Sequence, residues 1–265
     1  MNLLCCPNCG KPLEKTEKQY VCPDGHRFDR ARSGYVNLLI RHSASPGDSD
    51  ESLASRDAFL SKGYYRALRD GLARAVREYV PHGSFLDAGC GTGYYLEGLS
   101  DRSDLDLYAT DIARKGVMMT ARKNPQATCF VGNVFHLPFA DGTLDGLMSV
   151  FTPYGAQEFL RVVKPGGAVI AVTPAARHLY ELKEIVYDEP YLNSEKGYDL
   201  PGFELLSQQV ISDHIVLDSN EDIRSLWQMM PYYHTTSREN NERLLKRDQA
   251  ETEIAFLLQV FDRLI

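Results

Sequence analysis

The 265-residue sequence predicts a doubly wound α/β fold, a mostly parallel sheet with a small zinc-binding domain at its N-terminal end. Three observations predict it. Four of the six cysteines fall within the first 22 residues. From about residue 81, β and α patterns alternate, as they do when parallel strands are joined by crossover helices. A glycine loop directly follows the first of those strands, and an acidic residue closes the second.

Composition sets the limits. Apolar residues are 43% and charged residues 25%, ordinary globular usage that excludes wholesale disorder. No apolar run approaches the roughly 18 residues that span a membrane. Met1–Cys5 lacks the charged and apolar regions of a secretory signal, so a cytoplasmic protein with no membrane partner is expected. The net charge of −7 is uneven: residues 1–42 carry +3 and the remaining residues −10. A basic head on an acidic body is compatible with local contact to nucleic acid.

The head opens with Cys6-Pro7-Asn8-Cys9 and, twelve residues later, Cys22-Pro23-Asp24-Gly25-His26. Each short spacing lets one turn aim two ligands at a point. Cys6, Cys9, Cys22 and His26 make a closed, structural zinc site with no position left for water. Cys5 would lengthen the first spacing to three residues and is set aside. Lys11, Lys15, Lys18, Arg27, Arg30 and Arg32, with Tyr20, Phe28 and Tyr35 between them, suit RNA. Phe28 and Tyr35 better suit a small core beneath the metal.

Residues 43–52 are a polar Pro/Gly/Ser linker. Amphipathic helices are expected at 52–62 and 64–79, parted by Gly63, with Leu68, Leu72, Ala75, Val76 and Tyr79 on the apolar face of the second. Strand 84–88 leads through the glycine loop into a helix to about Leu99. Strand 105–110, helix 114–123, strand 128–131 and strand 144–150 follow. Helix 156–163 turns at Lys164-Pro165-Gly166-Gly167 into strand 168–173. Helix 177–187, strand 212–217, helices 221–230 and 239–246, and strand 253–261 complete the chain.

The loop Asp87-Ala88-Gly89-Cys90-Gly91-Thr92-Gly93 removes Cβ atoms where a bulky ligand must approach the backbone. A dinucleotide fingerprint needs glycine at the position held by Tyr94, so that motif fails, and a nucleoside without pyrophosphate is favoured. There is no Walker lysine. Asp111, 18 residues beyond Gly93, is placed to accept both ribose hydroxyls. Asn133 ends the third strand, where its amide oxygen suits an adenine amine.

This constellation resembles a class I, Rossmann-like S-adenosylmethionine (SAM) methyltransferase, as do His136–Gly142, Leu144-Asp145-Gly146 and Leu160–Gly167. Over its whole length the chain resembles the RlmA-type 23S rRNA (guanine-N1)-methyltransferases. The residues that carry this are the zinc knuckle with Gly25–Asp29, Gly34–Leu39, Pro46–Ser49, Arg56–Leu60, Gly63–Tyr65 and Thr173–Leu182. The resemblance implies SAM as donor and N1 of a guanosine in a 23S rRNA hairpin, free or in the precursor large subunit, as acceptor. It implies a zinc-binding RNA-recognition module at 1–42, a linker and helices at 43–80, and a methyltransferase domain at 81–265. It places donor contacts on Tyr65, Gly93, Tyr94 and His178. On its residues alone, His178 reads as a helix-start histidine facing water. A homodimer, macrolide resistance and the choice between neighbouring guanosines are left open.

Guanine N1 is protonated and, in a duplex, paired, so the base must be unpaired and carried into a pocket. Tyr154, after Thr152-Pro153, is expected to stack on it, or to pack under the rim. Trp227, Tyr232 and Tyr233 are further rim residues, Trp227 the one best suited to the core. No residue is read as the general base. The alternatives are a SAM-dependent enzyme acting on a small molecule, against which the basic head speaks, and a non-catalytic zinc-dependent RNA-binding protein, against which the intact glycine loop and Asp111 speak.

Overall fold

A computed structural model describes residues 2–39, 47–194 and 197–265. Residues 43–46 of the expected linker, including Pro46 of the Pro46–Ser49 motif, lie outside the described residues.

The head is a three-stranded antiparallel sheet of β1 (Glu14–Lys15), β2 (Gln19–Val21) and β3 (Arg27–Asp29). β4 (Val36–Asn37) leaves it and pairs in parallel with β7 (Thr128–Val131). Ser49 then caps α1 (Asp50–Ser61), its Oγ accepting the Ser52 N–H. Gly63 takes φ +84° between α1 and α2 (Arg66–Tyr79), as the sequence anticipates. Leu68, Leu72, Ala75 and Val76 form the buried face of α2.

Among the described residues the main sheet has eight strands, in the order β10, β11, β9, β8, β5, β6, β7, β4. β5 (Gly83–Ala88), β6 (Leu105–Asp111), β7, β8 (Leu144–Val150), β9 (Val163–Pro174) and β4 run parallel. β11 (Ala250–Arg263) and β10 (Phe203–Leu217) add an antiparallel hairpin at one edge. Strand order reverses between β5 and β8, so the crevice at their carboxyl ends is the switch point of the sheet.

Helices α2, α3 (Arg114–Lys123), α5 (Tyr180–Val186), α6 (Asn220–Gln228) and α8 (Arg238–Leu245) cover one face, meeting Phe85, Leu107, Met148 and Ile170. The other face is covered by α4 (Ala156–Val162) together with the head. Leu4, Leu13, Tyr20 and Val36 share a core there with Leu86, Tyr108, Phe130 and Leu147. Head and sheet therefore bury apolar surface against each other.

Several elements differ from expectation, among them β9, which starts at Val163 and takes in the expected turn at 164–167. The helix to Leu99 is one 3-10 turn, Leu96–Leu99, because the buried Leu96 and Leu99 are three apart and eclipse in that geometry. α5 starts at Tyr180, after Leu179 takes a left-handed φ of +59°. β10 starts nine residues before the expected Ser212; most of its side chains are exposed, so its backbone pairing with β11 carries it. A short helix, α7 (Pro231–Thr235), interrupts the expected interval between α6 and α8.

Candidate active site and metal centre

Two turns aim the metal ligands. Gly10 N–H donates to Cys6 O at 2.7 Å, and Gly25 N–H to Cys22 O at 2.9 Å, with φ +73° and +82° at the glycines. These fold Cys6 and Cys9, and Cys22 and His26, back on themselves. Their four ligand atoms lie within 4.8 Å of one another. Cys9 Sγ stands 3.6 Å from Cys22 Sγ, and Cys22 Sγ 3.2 Å from His26 Nδ1. Three thiolates and an imidazole at such separations fit a tetrahedral zinc. Cys5 turns its Sγ toward Leu3 O at 3.9 Å and stays out of the cluster.

The second site is a cleft of about 650 Å³ at the switch point, lined by Gly89, Gly91, Thr92, Phe151, Thr152 and His178 among others. Gly89 takes φ +93°, and a Cβ there would collide with the Thr152 hydroxyl. A Cβ on Gly91 would meet only Arg56 Nη1, at 3.6 Å, so this residue leaves the backbone open to a ligand. Arg56 is ion-paired to Asp48 at 2.7 Å, and both line the cleft.

Asp87 is buried beneath the loop, and its Oδ2 has no partner among the described residues. Burial, with Asp111 nearby, pushes its carboxyl up to about 8. Asp111 accepts Gly91 N–H at 2.9 Å through Oδ2 and Ala113 N–H at 2.8 Å through Oδ1. Burial raises its carboxyl and those two bonds oppose the rise. Each oxygen keeps a lone pair for a diol. A buried, unpartnered carboxylate oxygen, a fixed second carboxylate, an open glycine and a guanidinium fit SAM, which presents an ammonium, a ribose diol and a carboxylate.

Comparison with known proteins agrees with this geometry. The family described as "RlmA, N-terminal" matches residues 4–43, and a "Methyltransferase domain" family matches residues 86–171. A protein of Micromonospora griseorubida, provisionally named a 23S rRNA (guanine-N1)-methyltransferase, is 38% identical over 198 residues, 67% of each chain. The chain belongs to the RlmA-type 23S rRNA (guanine-N1)-methyltransferases. A second relative, the 23S rRNA (guanine(748)-N(1))-methyltransferase of Streptomyces fradiae, is 36% identical over 182 residues, 67% of this chain and 65% of that one. Matches to both relatives thus span about two thirds of their length. For the fold alone, a Haloferax volcanii complex of the Trm112 methyltransferase activator with a methyltransferase superposes at a TM-score of 0.53 and 21% identity, covering 83% of this chain and 98% of that one.

Of the donor residues that the RlmA-type pattern carries over, Tyr65, Tyr94 and His178 line the cleft. His178 is buried, against the water-facing position its local sequence suggests. Ala255 N–H donates to its Nδ1 at 3.3 Å, so the neutral ring carries its proton on Nε2, 3.5 Å from the Tyr65 hydroxyl. Burial, helped by Lys183, holds this imidazole down at about 3. The Tyr94 ring sits under the Arg69 guanidinium at 5.1 Å. Gly93 packs against Thr120 and Asn124, beside the cleft.

Asn133 is placed differently. Its Oδ1 accepts Phe135 N–H at 3.0 Å, closing a turn after β7, and it lines a separate cavity beside Cys5 and Cys6. Thr152 and Pro153 line the cleft, but Tyr154 stands outside that lining with its ring edge-on to Tyr198 at 4.3 Å. Trp227 is core, its Nε1 donating to Asn241 Oδ1 at 2.6 Å. Tyr232 donates to Asn193 Oδ1 at 2.6 Å; neither it nor Tyr233 lines the cleft, whereas His234 does.

In the head, Lys11 is ion-paired to Asp24 at 2.6 Å. Lys15 pairs across β2 with Tyr20 and thence Phe28, while Arg27 pairs with Val21 and thence Glu14. Lys15 and Arg27 therefore project from opposite faces of the small sheet. Tyr20 and Tyr35 are buried, so neither is free to stack on RNA; the Tyr35 hydroxyl accepts from Arg114 at 2.7 Å. Sequence reasoning missed Phe151, Tyr95, Tyr198 and His234 in the cleft lining, and Arg56 as its guanidinium. Of these, only Arg56 lay in a stretch singled out in the sequence, and nothing there gave it a role.

Proposed function

We propose that the chain transfers a methyl group from SAM to N1 of a guanosine in a hairpin of 23S ribosomal RNA, free or within the precursor large subunit. The observation that carries this is one body in which an RlmA-type zinc head and a methyltransferase cleft share a core. Bound SAM would supply an electrophilic methyl: as guanine N1 bonds to it the sulfur–methyl bond breaks, S-adenosylhomocysteine is left, and the N1 proton passes to water. The chain's own task is positioning: reacting atoms held about 3–3.5 Å apart and aligned. Asp111 holds the ribose diol, Asp87 meets the ammonium with its open oxygen, and Arg56 takes the carboxylate. Tyr65, Tyr94 and the neutral His178 wall the donor site. Residues 1–42 act as the RNA-recognition module, 43–80 as the linking helices and 81–265 as the catalytic domain. A second copy of the chain is not required by this reading.

The test is in vitro methylation of a 23S rRNA hairpin and of whole large-subunit rRNA with labelled SAM, followed by mass mapping. N1-methylguanosine at a single position is the expected product. Label that appears on small molecules in a cell extract but never on RNA overturns the reading.

A further inference from the structure

The sequence leaves Tyr154 either stacked on the guanine or packed under the rim, and the cleft wall carries a different ring. Phe151 follows β8 directly and takes φ +54°, a left-handed conformation that an aromatic L residue rarely adopts. It is held there: Phe151 N–H donates to Val172 O at 3.1 Å, and Thr152 Oγ1 to Val150 O at 3.1 Å. Along an extended strand successive side chains alternate between faces. Val150 belongs to the core cluster that contains Phe256, so an extended continuation would send the next side chain to the opposite face. Phe151 instead stays on the Val150 side, its ring 5.6 Å from Phe256 and 6.5 Å from Tyr95. It lines the donor cleft with Gly89 and Thr152, and it is 42% exposed. Packing alone does not account for a strained backbone that displays an aromatic ring to solvent; strain of this kind collects at functional sites.

We infer that Phe151 is the residue on which the target guanine stacks, and that the left-handed turn at this position keeps its ring on the donor side of the sheet. The inference rests on the RNA-methylating reading above. Tyr154, engaged edge-on with Tyr198 outside the cleft lining, supports the rim.

The test uses the full-length, zinc-loaded chain with a 23S rRNA hairpin, in three variants. Phe151→Leu keeps an apolar side chain and loses the π-face. Phe151→Gly removes the ring and relieves the backbone, so a loss there is not a consequence of strain. Phe151→Tyr keeps the ring. Base–aromatic stacking predicts a fall in kcat/KM for RNA of about 5- to 150-fold in the leucine and glycine variants, with the tyrosine variant near the parent. SAM affinity, read by calorimetric titration, stays within about twofold in all three. Leucine and glycine variants that methylate like the parent overturn the inference. So does a parallel loss of SAM affinity, which would assign the ring to the donor. A parent that leaves the RNA unmethylated instead overturns the reading on which the inference rests.

Discussion

The carboxyl of Asp87 ends up beneath the glycine loop with one oxygen unpartnered among the described residues, and its carboxyl is pushed from 3.8 to about 8 by burial and by Asp111. Between those two values the native protein holds a proton that the unfolded chain has released. Stability of the donor-free protein therefore falls as pH rises through that window. Replacing the group by its neutral isostere removes this penalty. Asp87→Asn is expected to melt above the parent at pH 7.5, with the gap closing toward pH 5, while binding SAM more weakly. Scanning calorimetry without donor at four pH values checks the first part, and titration with SAM the second. A gap that does not change with pH would mean that burial does not raise this carboxyl in the folded protein. Part of this site was legible as residue types: Gly89 and Gly91 line the cleft as the loop pattern suggests, whereas Asp87, Gly93 and Asp111 lie next to it and not in its lining. Phe151 and His178 were not legible in this way, because a left-handed φ and the burial of a helix-start histidine depend on what packs against them. Asn133 sits apart from the cleft lining, beside another cavity, with its oxygen accepting Phe135 N–H two residues on.

At the scale of elements, the zinc turns do more than shape a surface. Cys6 and Cys22 are buried in the same cluster as Leu4, Leu13 and Tyr20, and that cluster continues into Leu86, Tyr108 and Phe130 of the main sheet. β4 extends the sheet beside β7. Loss of the metal should therefore be felt throughout the fold. Cys22→Ala is expected to lose zinc by elemental analysis and to unfold in one transition shifted to lower temperature. A separate early transition, with the main one unmoved, would show that the head melts alone. Elements with strong apolar periodicity, such as α2 and β5 to β8, were readable within a residue or two. β10 was not, since both its faces are largely exposed and partner pairing, not burial, extends it. The turn at Leu96–Leu99 was misread as helix because apolar residues three apart satisfy both geometries.

For the whole molecule, the distribution of charge decides how an acidic protein approaches an acidic substrate. The excess of +3 in residues 1–42 sits on a head whose inner side is buried against the sheet. Lys15 lies on the same side of the small sheet as the buried Tyr20, and Lys11 is already paired with Asp24. Arg27 projects from the opposite side, is exposed and forms no ion pair among the described residues. A rigid RNA stem can lie along only one of these sides at a time. Charge reversal at single positions should then have unequal effects. Arg27→Glu is expected to weaken hairpin binding and to make its salt dependence shallower, by about 0.9 in log–log slope for each duplex phosphate that is no longer neutralised. Lys15→Glu and Lys11→Glu should each change that slope by less than half as much. SAM affinity should be the same in all three, since the donor cleft lies on the main sheet. Filter binding of the whole hairpin at two salt concentrations measures the slopes. Equal losses from Arg27 and Lys15 would mean that the RNA wraps both sides of the head, and no loss from any of the three would leave the zinc head a structural layer of the fold rather than a grip on RNA.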